Sequence, residues 1–165
     1  PSVPGIRSQM SLTAEFERAG GRFLKGDAVV DAEFDENGHV KSVGTQNFGN
    51  IRLYADNFVL ASGSFFSKGL IATPDKIFEP VFGVDLSYPE GRDQWFDRNF
   101  WNRQNYISYG AKVSKFLHAS IEGKPIANLY AIGSLLAGSN TLYEGCGGRI
   151  ALITALAAAD SILEK

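Results

Sequence analysis

The stretch Asn128-Leu-Tyr-Ala-Ile-Gly133-Ser134-Leu-Leu-Ala-Gly138-Ser-Asn-Thr-Leu-Tyr-Glu144-Gly145-Cys146-Gly147-Gly148-Arg149-Ile150 decides how the rest of the chain is read. Leu129 to Ile132 is a short apolar run closed by Gly133, the pattern of a buried strand whose end turns sharply. Gly145, Gly147 and Gly148 then crowd the entrance of a helix. At a helix N-terminus the backbone N–H groups point outward without partners and the dipole is positive. Glycine there removes the side chains that would hold a ligand away, so an anionic group such as a phosphate or a reduced flavin ring is the natural occupant. The same glycines alone also fit a flexible turn ahead of a buried helix.

The helix that follows, Gly147 to about Leu163, is apolar nearly all round and reads as buried, with Ala151, Ala155 and Ala159 spaced four apart as a smooth face for a sheet. Its apolar run is shorter than the roughly 20 residues a membrane span requires. Upstream, Asn57-Phe-Val-Leu-Ala-Ser62-Gly63 is a second apolar run ending in small residues, as a buried parallel strand does beneath a ligand. Before it, Arg22 to Lys25, Ala28 to Asp35 and Val40 to Phe48 alternate apolar and polar residues, with Asn37-Gly38 as a hairpin signal and Ile51 to Tyr54 as a further short strand. An antiparallel meander is expected. Ile6 to Ala19 carries an approximate helical stripe stopped by Gly20-Gly21.

Between the two apolar strands the periodicity weakens. Trp95 and Trp101 lie here among Phe78, Phe82, Tyr88, Phe96, Phe100, Tyr106 and Tyr109, interleaved with Arg92, Arg98 and Arg103. Aromatics beside arginines mark interaction hot spots, but a satellite core under long loops is the expectation, Trp101 included. The chain thus divides into residues 1–63 (helix, meander and buried strand), 64–125 (an aromatic-rich inserted segment) and 126–165 (strand, Gly-rich loop and buried helix).

At 165 residues and net charge −2 the chain can bury a sizeable core and shows no broad basic field for nucleic acid. Its single cysteine, Cys146, excludes an intrachain disulfide and any clustered-cysteine metal site. Cys146 near a helix N-terminus either has a lowered pKa or is a small buried residue packing against a ligand, the second being expected. Neither Ser62-Gly63-Ser64 nor Gly133-Ser134 matches the G-x-S-x-G elbow. His39 sits in the hairpin turn, where exposure is the default; His118 reads as structural or exposed. No G-x-G-x-x-G loop is present, since Gly145-Cys-Gly147-Gly148-Arg-Ile150 lacks the third glycine, so a complete dinucleotide fold is not expected.

The pair Phe58-Val-Leu-Ala-Ser-Gly63 and Asn128-Leu-Tyr-Ala-Ile-Gly-Ser134, with a meander before the first and a glycine-opened helix after the second, resembles the C-terminal half of fumarate-reductase-like flavoproteins. More narrowly, Gly21-Arg-Phe-Leu-Lys-Gly26, Leu60-Ala-Ser-Gly-Ser-Phe-Phe-Ser-Lys-Gly-Leu70, Glu79-Pro-Val-Phe-Gly83 and Glu144-Gly-Cys-Gly-Gly148 resemble the family of B subunits of bacterial anaerobic glycerol-3-phosphate dehydrogenase, along the whole chain. The resemblance implies an α/β fold: a β-meander plus the C-terminal part of a Rossmann-like flavin-binding fold, with an aromatic-rich insertion. The N-terminal Rossmann unit with which such proteins begin is missing here. The opening Pro1-Ser-Val-Pro-Gly5, without an initiator methionine, likewise suggests a processed or excised piece.

The activity implied is oxidation of glycerol 3-phosphate to dihydroxyacetone phosphate with electrons passed to quinone. The implied cofactor is FMN, with FAD as the alternative, and this piece alone is expected to bind neither tightly and to be inactive. The implied partners are an FAD-bearing catalytic subunit and an iron–sulfur, membrane-anchoring subunit, which would hold the protein on the cytoplasmic face of the inner membrane. Carried over by position, Ser62 and Gly63 pass the flavin's phosphate-bearing tail, and Gly133 and Ser134 meet the ribityl chain. Gly147 and Gly148 point their N–H groups at the ring's pyrimidine carbonyl, where negative charge gathers on reduction, and Gly145 is a further cofactor-binding residue at the same helix entrance. Ser134 stands where many relatives carry a carboxylate. Arg149 occupies an expected glycine position and either helps to hold a reduced flavin or blocks the site; Ser139-Asn140 replaces an aromatic-acidic pair. A second reading is a non-catalytic assembly module whose aromatic, arginine-bearing insertion docks onto a partner flavoprotein.

Overall fold

A computed structural model describes residues 2–164. The chain is a mixed α/β structure of small sheets. Helix α1 (Val3–Arg18) is capped by the Ser2 hydroxyl, which accepts from the Gly5 N–H at 3.2 Å, and it begins earlier than the apolar stripe indicated because Pro4 suits a first helical turn. None of its residues is buried. The expected strand at Arg22 to Lys25 does not form. The meander is β1 (Val29–Phe34), β2 (Val40–Thr45) and β3 (Arg52–Tyr54), antiparallel in that order. Its first turn is built by Asp35, whose Oδ1 accepts the N–H groups of Asn37 and His39 at 2.9 Å each. The His39 bond is the largest influence holding that carboxyl below its ordinary range. Arg52 reaches across β2 to Asp31 and Glu33 on β1, donating on the way to the Ser42 hydroxyl at 3.2 Å.

Strand β4 (Phe58–Leu60) leads into two small ribbons, β5 (Ile71–Ala72) with β6 (Ile77–Phe78) and β7 (Leu86–Ser87) with β8 (Gly110–Ala111). Then come β9 (His118–Ile121) and β10 (Lys124–Ala131), joined by a two-residue turn with Glu122 and Gly123 both at positive φ. Asp85 stabilises that turn by accepting both N–H groups, at 3.1 and 2.7 Å. β10 is the middle strand of the second sheet, antiparallel to β9 and parallel to β4, with Leu129 opposite Phe58 and Ala131 opposite Leu60. Leu129, Tyr130 and Ala131 are fully buried, as their apolar run indicates. The two sheets are hooked together by Asn128: its amide donates to Val40 O at 2.8 Å and its carbonyl accepts from Val40 N at 2.9 Å, so a side chain completes what a strand neighbour would have supplied. The main core lies between the sheets, around Val40, Val43, Leu60, Leu129 and Leu135.

The aromatic segment forms a satellite core of Ile77, Trp95 and Tyr109. Trp95 is 7% exposed, its indole N–H donating to Pro89 O at 2.7 Å. The expectation for Trp101 is overturned, since it is 88% exposed. Trp101 occupies a loop tip whose fold is closed by side-chain amides beneath it, so its ring has no wall to pack against.

The C-terminus contains α2 (Thr141–Glu144) and α3 (Gly147–Leu163). α3 departs from its expected burial. Ala158 is its one buried residue among those described; Leu152, Ile153 and Leu156 are each more than 60% exposed, Ala155 and Ala159 face solvent, and Ala151, also exposed, sits beside the Gly133 turn and not against a sheet. The docking face is the stripe Ile150, Thr154, Ala158 and Ile162, because the helix packs on the turn after β10 and not along a sheet.

Candidate functional site

β4 and β10 run parallel and end side by side, with the Ile132 N–H donating to Leu60 O at 3.1 Å. In open α/β sheets the carboxyl ends of parallel strands are where ligands bind. After β4 the chain turns at Gly63, φ +78°, into a single helical turn at Phe65–Ser67. The Ser67 hydroxyl donates to Ser62 O at 2.8 Å, and a Cβ on Gly69 would lie 2.0 Å from Gly63 O, so this loop closes only with glycine at its return. After β10 the chain turns at Gly133, φ +68°, whose buried N–H donates to Thr154 Oγ1 of α3 at 2.9 Å. That bond fixes the helix against the turn. The two turns meet: Ser134 Oγ lies 3.4 Å from where a Cβ on Gly63 would stand.

Asn140, almost fully buried, caps α2 by accepting from Tyr143 N at 3.1 Å. α2 ends at Gly145 in the left-handed conformation, and Cys146 leads into α3. The first α3 residue with a helical acceptor is Ile150, to Cys146 O at 3.0 Å, which leaves the N–H groups of Gly147, Gly148 and Arg149 at the open end of the helix. These elements enclose a cavity of about 270 Å³ lined by Ser64, Phe65, Phe66, Tyr106, Ile107, Ser134, Thr141, Leu142, Gly147 and Ala151.

Of the residues singled out in the sequence, Ser134 and Gly147 line this cavity; Gly63 is not in its lining but lies beside Ser134. Gly133 is the buried pivot between β10 and α3. Ser62 lines a separate, larger cavity of about 600 Å³ between β4 and the meander; its hydroxyl oxygen is buried and finds no hydrogen-bond partner among the described residues. Gly145, Gly148 and Arg149 are exposed, and a Cβ on Gly148 would meet nothing within 4 Å. Cys146 is half-buried, and its thiol is pushed up from the ordinary range by burial and then by Glu144, whose carboxylate accepts from Sγ at 3.4 Å. That direction is opposite to the one a helix N-terminus alone would impose. His39 is half-exposed beside Asp35, and His118 is partly buried with its ring 4.6 Å from that of Tyr130. Neither histidine lines the 270 Å³ cavity. Among the described residues no group of acidic, cysteine and histidine side chains could hold a metal ion, and no helix is long and apolar enough to cross a membrane.

Sequence reasoning missed the aromatic walls, Phe65 and Tyr106, whose rings meet edge to face at 5.9 Å. Tyr106 was legible only as one aromatic among many. Glu79, quoted in a motif without a role, is buried and accepts the N–H groups of Val81, Phe82 and Gly83 at 2.7–3.0 Å; it is a turn anchor.

Sequence comparison, in contrast to geometry, places the chain in a known class. The chain belongs to the FAD binding domain family, whose sequence model matches residues 1–150. Within that class it is similar to the B subunit of the anaerobic glycerol-3-phosphate dehydrogenase of Vibrio vulnificus (strain CMCP6), 42% identical over 160 residues that make up 96% of this chain and 36% of the relative. The like-named proteins of Haemophilus influenzae (strain 86-028NP) and Pectobacterium atrosepticum are 43% and 39% identical over 100% of this chain and 39% of theirs. The chain therefore spans little more than a third of the length of these curated relatives. No solved structure matches it significantly.

A flavin fits the residues present as half a site. Exposed helix N–H groups, the Ser134 hydroxyl and the apolar walls Phe65 and Ile107 suit a planar, partly anionic ring. The volume lies just below the roughly 300–1,000 Å³ of complete ligand pockets, too little for a whole dinucleotide.

Proposed function

We propose that this chain is the C-terminal part of a flavoprotein subunit of a membrane-associated dehydrogenase that oxidises glycerol 3-phosphate to dihydroxyacetone phosphate and passes the electrons toward quinone. The observation that carries the reading is the meeting of the Gly63 and Ser134 turns at the carboxyl ends of β4 and β10, with Gly147 across the same cavity. The dehydrogenase relatives supply the substrate and reaction class. The bound flavin supplies two-electron acceptance. This chain's residues would hold it: Gly147 and Gly148 would present N–H groups to the ring's carbonyl edge, Ser134 would bond the ribityl chain, and Phe65 and Ile107 would keep water from one face. Gly63 lets the phosphate-bearing tail pass close to the backbone, and Ser62 lies beneath that passage; Gly133, held by Thr154, keeps Ser134 in place. Gly145 and Arg149 flank the helix entrance, where the arginine's charge favours a reduced, anionic ring.

The remaining contacts come from a Rossmann-like N-terminal unit outside the chain. Among the described residues β4 has no strand on its second edge, and the 600 Å³ cavity beside it, walled by Phe58, Val59, Val43 and Phe82, is room for further sheet. The family description supports FAD over the FMN that the resemblance implies. Membrane attachment runs through partner subunits, one FAD-bearing and one carrying iron–sulfur clusters. The test is the full-length protein itself: it should purify yellow, and acid extraction should release FAD in near-equal amount to protein. FMN in the extract would correct the cofactor, and a colourless protein that still joins its partner subunits would leave the assembly-module reading.

A further inference from the structure

The nine residues from Phe96 to Gln104 do something the satellite core does not require. Phe100 and Trp101 stand at the tip of this loop, 79% and 88% exposed, with their rings edge to face at 5.4 Å. Six residues earlier Trp95 is 7% exposed and hydrogen-bonded, so the fold has the means to bury an indole and leaves this one out. The tip is nevertheless built. The Asp97 carboxylate accepts from Asn99 N at 2.8 Å and Asn102 Nδ2 at 3.2 Å. The Gln104 side chain accepts from Asp97 N at 3.0 Å and donates to the carbonyls of Asn99 and Asn102 at 3.1 and 3.2 Å, and Asn99 Oδ1 accepts from Trp101 N. A pre-formed pair of large rings loses little conformational freedom when it binds, which is what gives a hot spot its affinity.

We infer that the Phe100–Trp101 tip is the docking anchor for a partner subunit, and that the partner's surface is an apolar cleft rimmed by carboxylates. The charge follows from the loop. Asp97 is consumed internally, whereas the guanidiniums of Arg98 and Arg103 have no ion pair among the described residues. Arg103 lies over the Tyr143 ring at 5.4 Å, and Tyr143 adjoins Leu142 in the wall of the 270 Å³ cavity. A partner seated on the tip therefore reaches the mouth of the candidate flavin site. Two arginines in a chain of net charge −2 fall short of the basic clusters that hold proteins on anionic lipid. Three charges within nine residues suit an interface rim and not a core that the rest of the polypeptide would cover.

This inference rests on the proposed membership of a multi-subunit dehydrogenase, and the experiment separates the two. The full-length protein is co-expressed with its partner subunits as wild type, Phe100→Ala/Trp101→Ala and Arg98→Glu/Arg103→Glu. Flavin content, melting temperature and the affinity between subunits by sedimentation are then measured. Removing the rings should weaken association about 30-fold or more while flavin content holds and melting stays within about 1 °C. Reversing the charges should slow association and abolish its salt dependence. Wild-type protein that joins no other subunit overturns both readings; association unchanged in the ring variant overturns the anchor alone. Two further results also overturn it: Trp101 emission, taken as the difference from Trp101→Phe, already shielded from iodide in the uncomplexed full-length protein, or loss of binding to phosphatidylglycerol vesicles with the affinity between subunits intact.

Discussion

Thr154→Val is the cleanest perturbation of the candidate site, because it changes one atom's chemistry at nearly constant volume. The hydroxyl accepts the buried Gly133 N–H at 2.9 Å and donates to Ile150 O at 2.6 Å. Ile150 O keeps its place in the helical ladder when the hydroxyl is lost, but Gly133 N–H does not find a substitute. A buried donor left unpaired costs roughly 1–3 kcal/mol, and the valine methyl, half-buried, returns a fraction of a kcal/mol; helix propensity is nearly unchanged. The net loss of about 1–2 kcal/mol should fall on the turn that carries Ser134. Amide exchange of the 129–136 segment in the full-length protein should therefore quicken about 5- to 30-fold, with a parallel drop in retained flavin, while exchange in the β1–β2 meander stays unchanged. Thr154→Ser keeps the hydroxyl and should restore slow exchange. Equal exchange in the valine variant, the serine variant and wild type would show that Gly133 is satisfied otherwise and that this bond does not hold the turn.

Four other outcomes follow from the same geometry. The 165-residue chain alone should bind FAD or FMN no better than micromolar by titration, since under the proposed function several charge-assisted phosphate contacts, worth roughly 1.5–3 kcal/mol each, belong to a further unit. Gly148→Val should release flavin from the full-length protein and leave its melting temperature near wild type, because the new side chain projects into open space at the helix entrance. Cys146 should react slowly with iodoacetamide at neutral pH and faster in Glu144→Gln, as its thiol is held up by burial and then by that carboxylate. Asp35 has a depressed folded pKa, so its contribution is present above the ordinary carboxylate range and lost as pH falls through the folded value. Amide exchange at Asn37 and His39 should accordingly quicken in acid, and Asp35→Asn should flatten that dependence.

The sheet strands were legible where local pattern and final environment agree. Leu129 to Ala131 is an apolar run that ends up paired and fully buried; Phe58 to Leu60 pairs as expected but is buried only at Leu60, with Val59 45% exposed against the buried strand expected there, and Asn37-Gly38 marks a hairpin whose geometry is set within five residues. What escaped was set over distance. The Asn128 hook on Val40 joins residues 88 apart, and no spacing rule announces a side chain standing in for a strand. The cavity wall is similar: Phe65 and Tyr106, 41 residues apart, meet only because the chain folds back through the β5–β6 ribbon and the β7–β8 pairing. Arg22 to Lys25 alternates as a strand should but has no neighbour to pair with, and alternation cannot provide one.

The reading of α3 failed for a different reason. Hydrophobicity reports the environment in which a sequence was selected, and under the proposed function that environment is a longer polypeptide. Leu152, Ile153 and Leu156 on α3, with Ile6, Met10 and Phe16 on α1, lie exposed in a chain that spans little more than a third of its relatives. Six large apolar side chains in the open, each worth about 1.5–3 kcal/mol on burial, are too many for stray surface residues on two helices. Trp101 differs from the α3 residues in being held on a hydrogen-bonded loop between charges, whereas Leu152, Ile153 and Leu156 lie in a helical stretch, Ile150 to Ala159, that carries no charge. A uniform face suits permanent burial by the same polypeptide; a rimmed, preorganised tip suits a surface that must first exist in water and then be covered by another molecule.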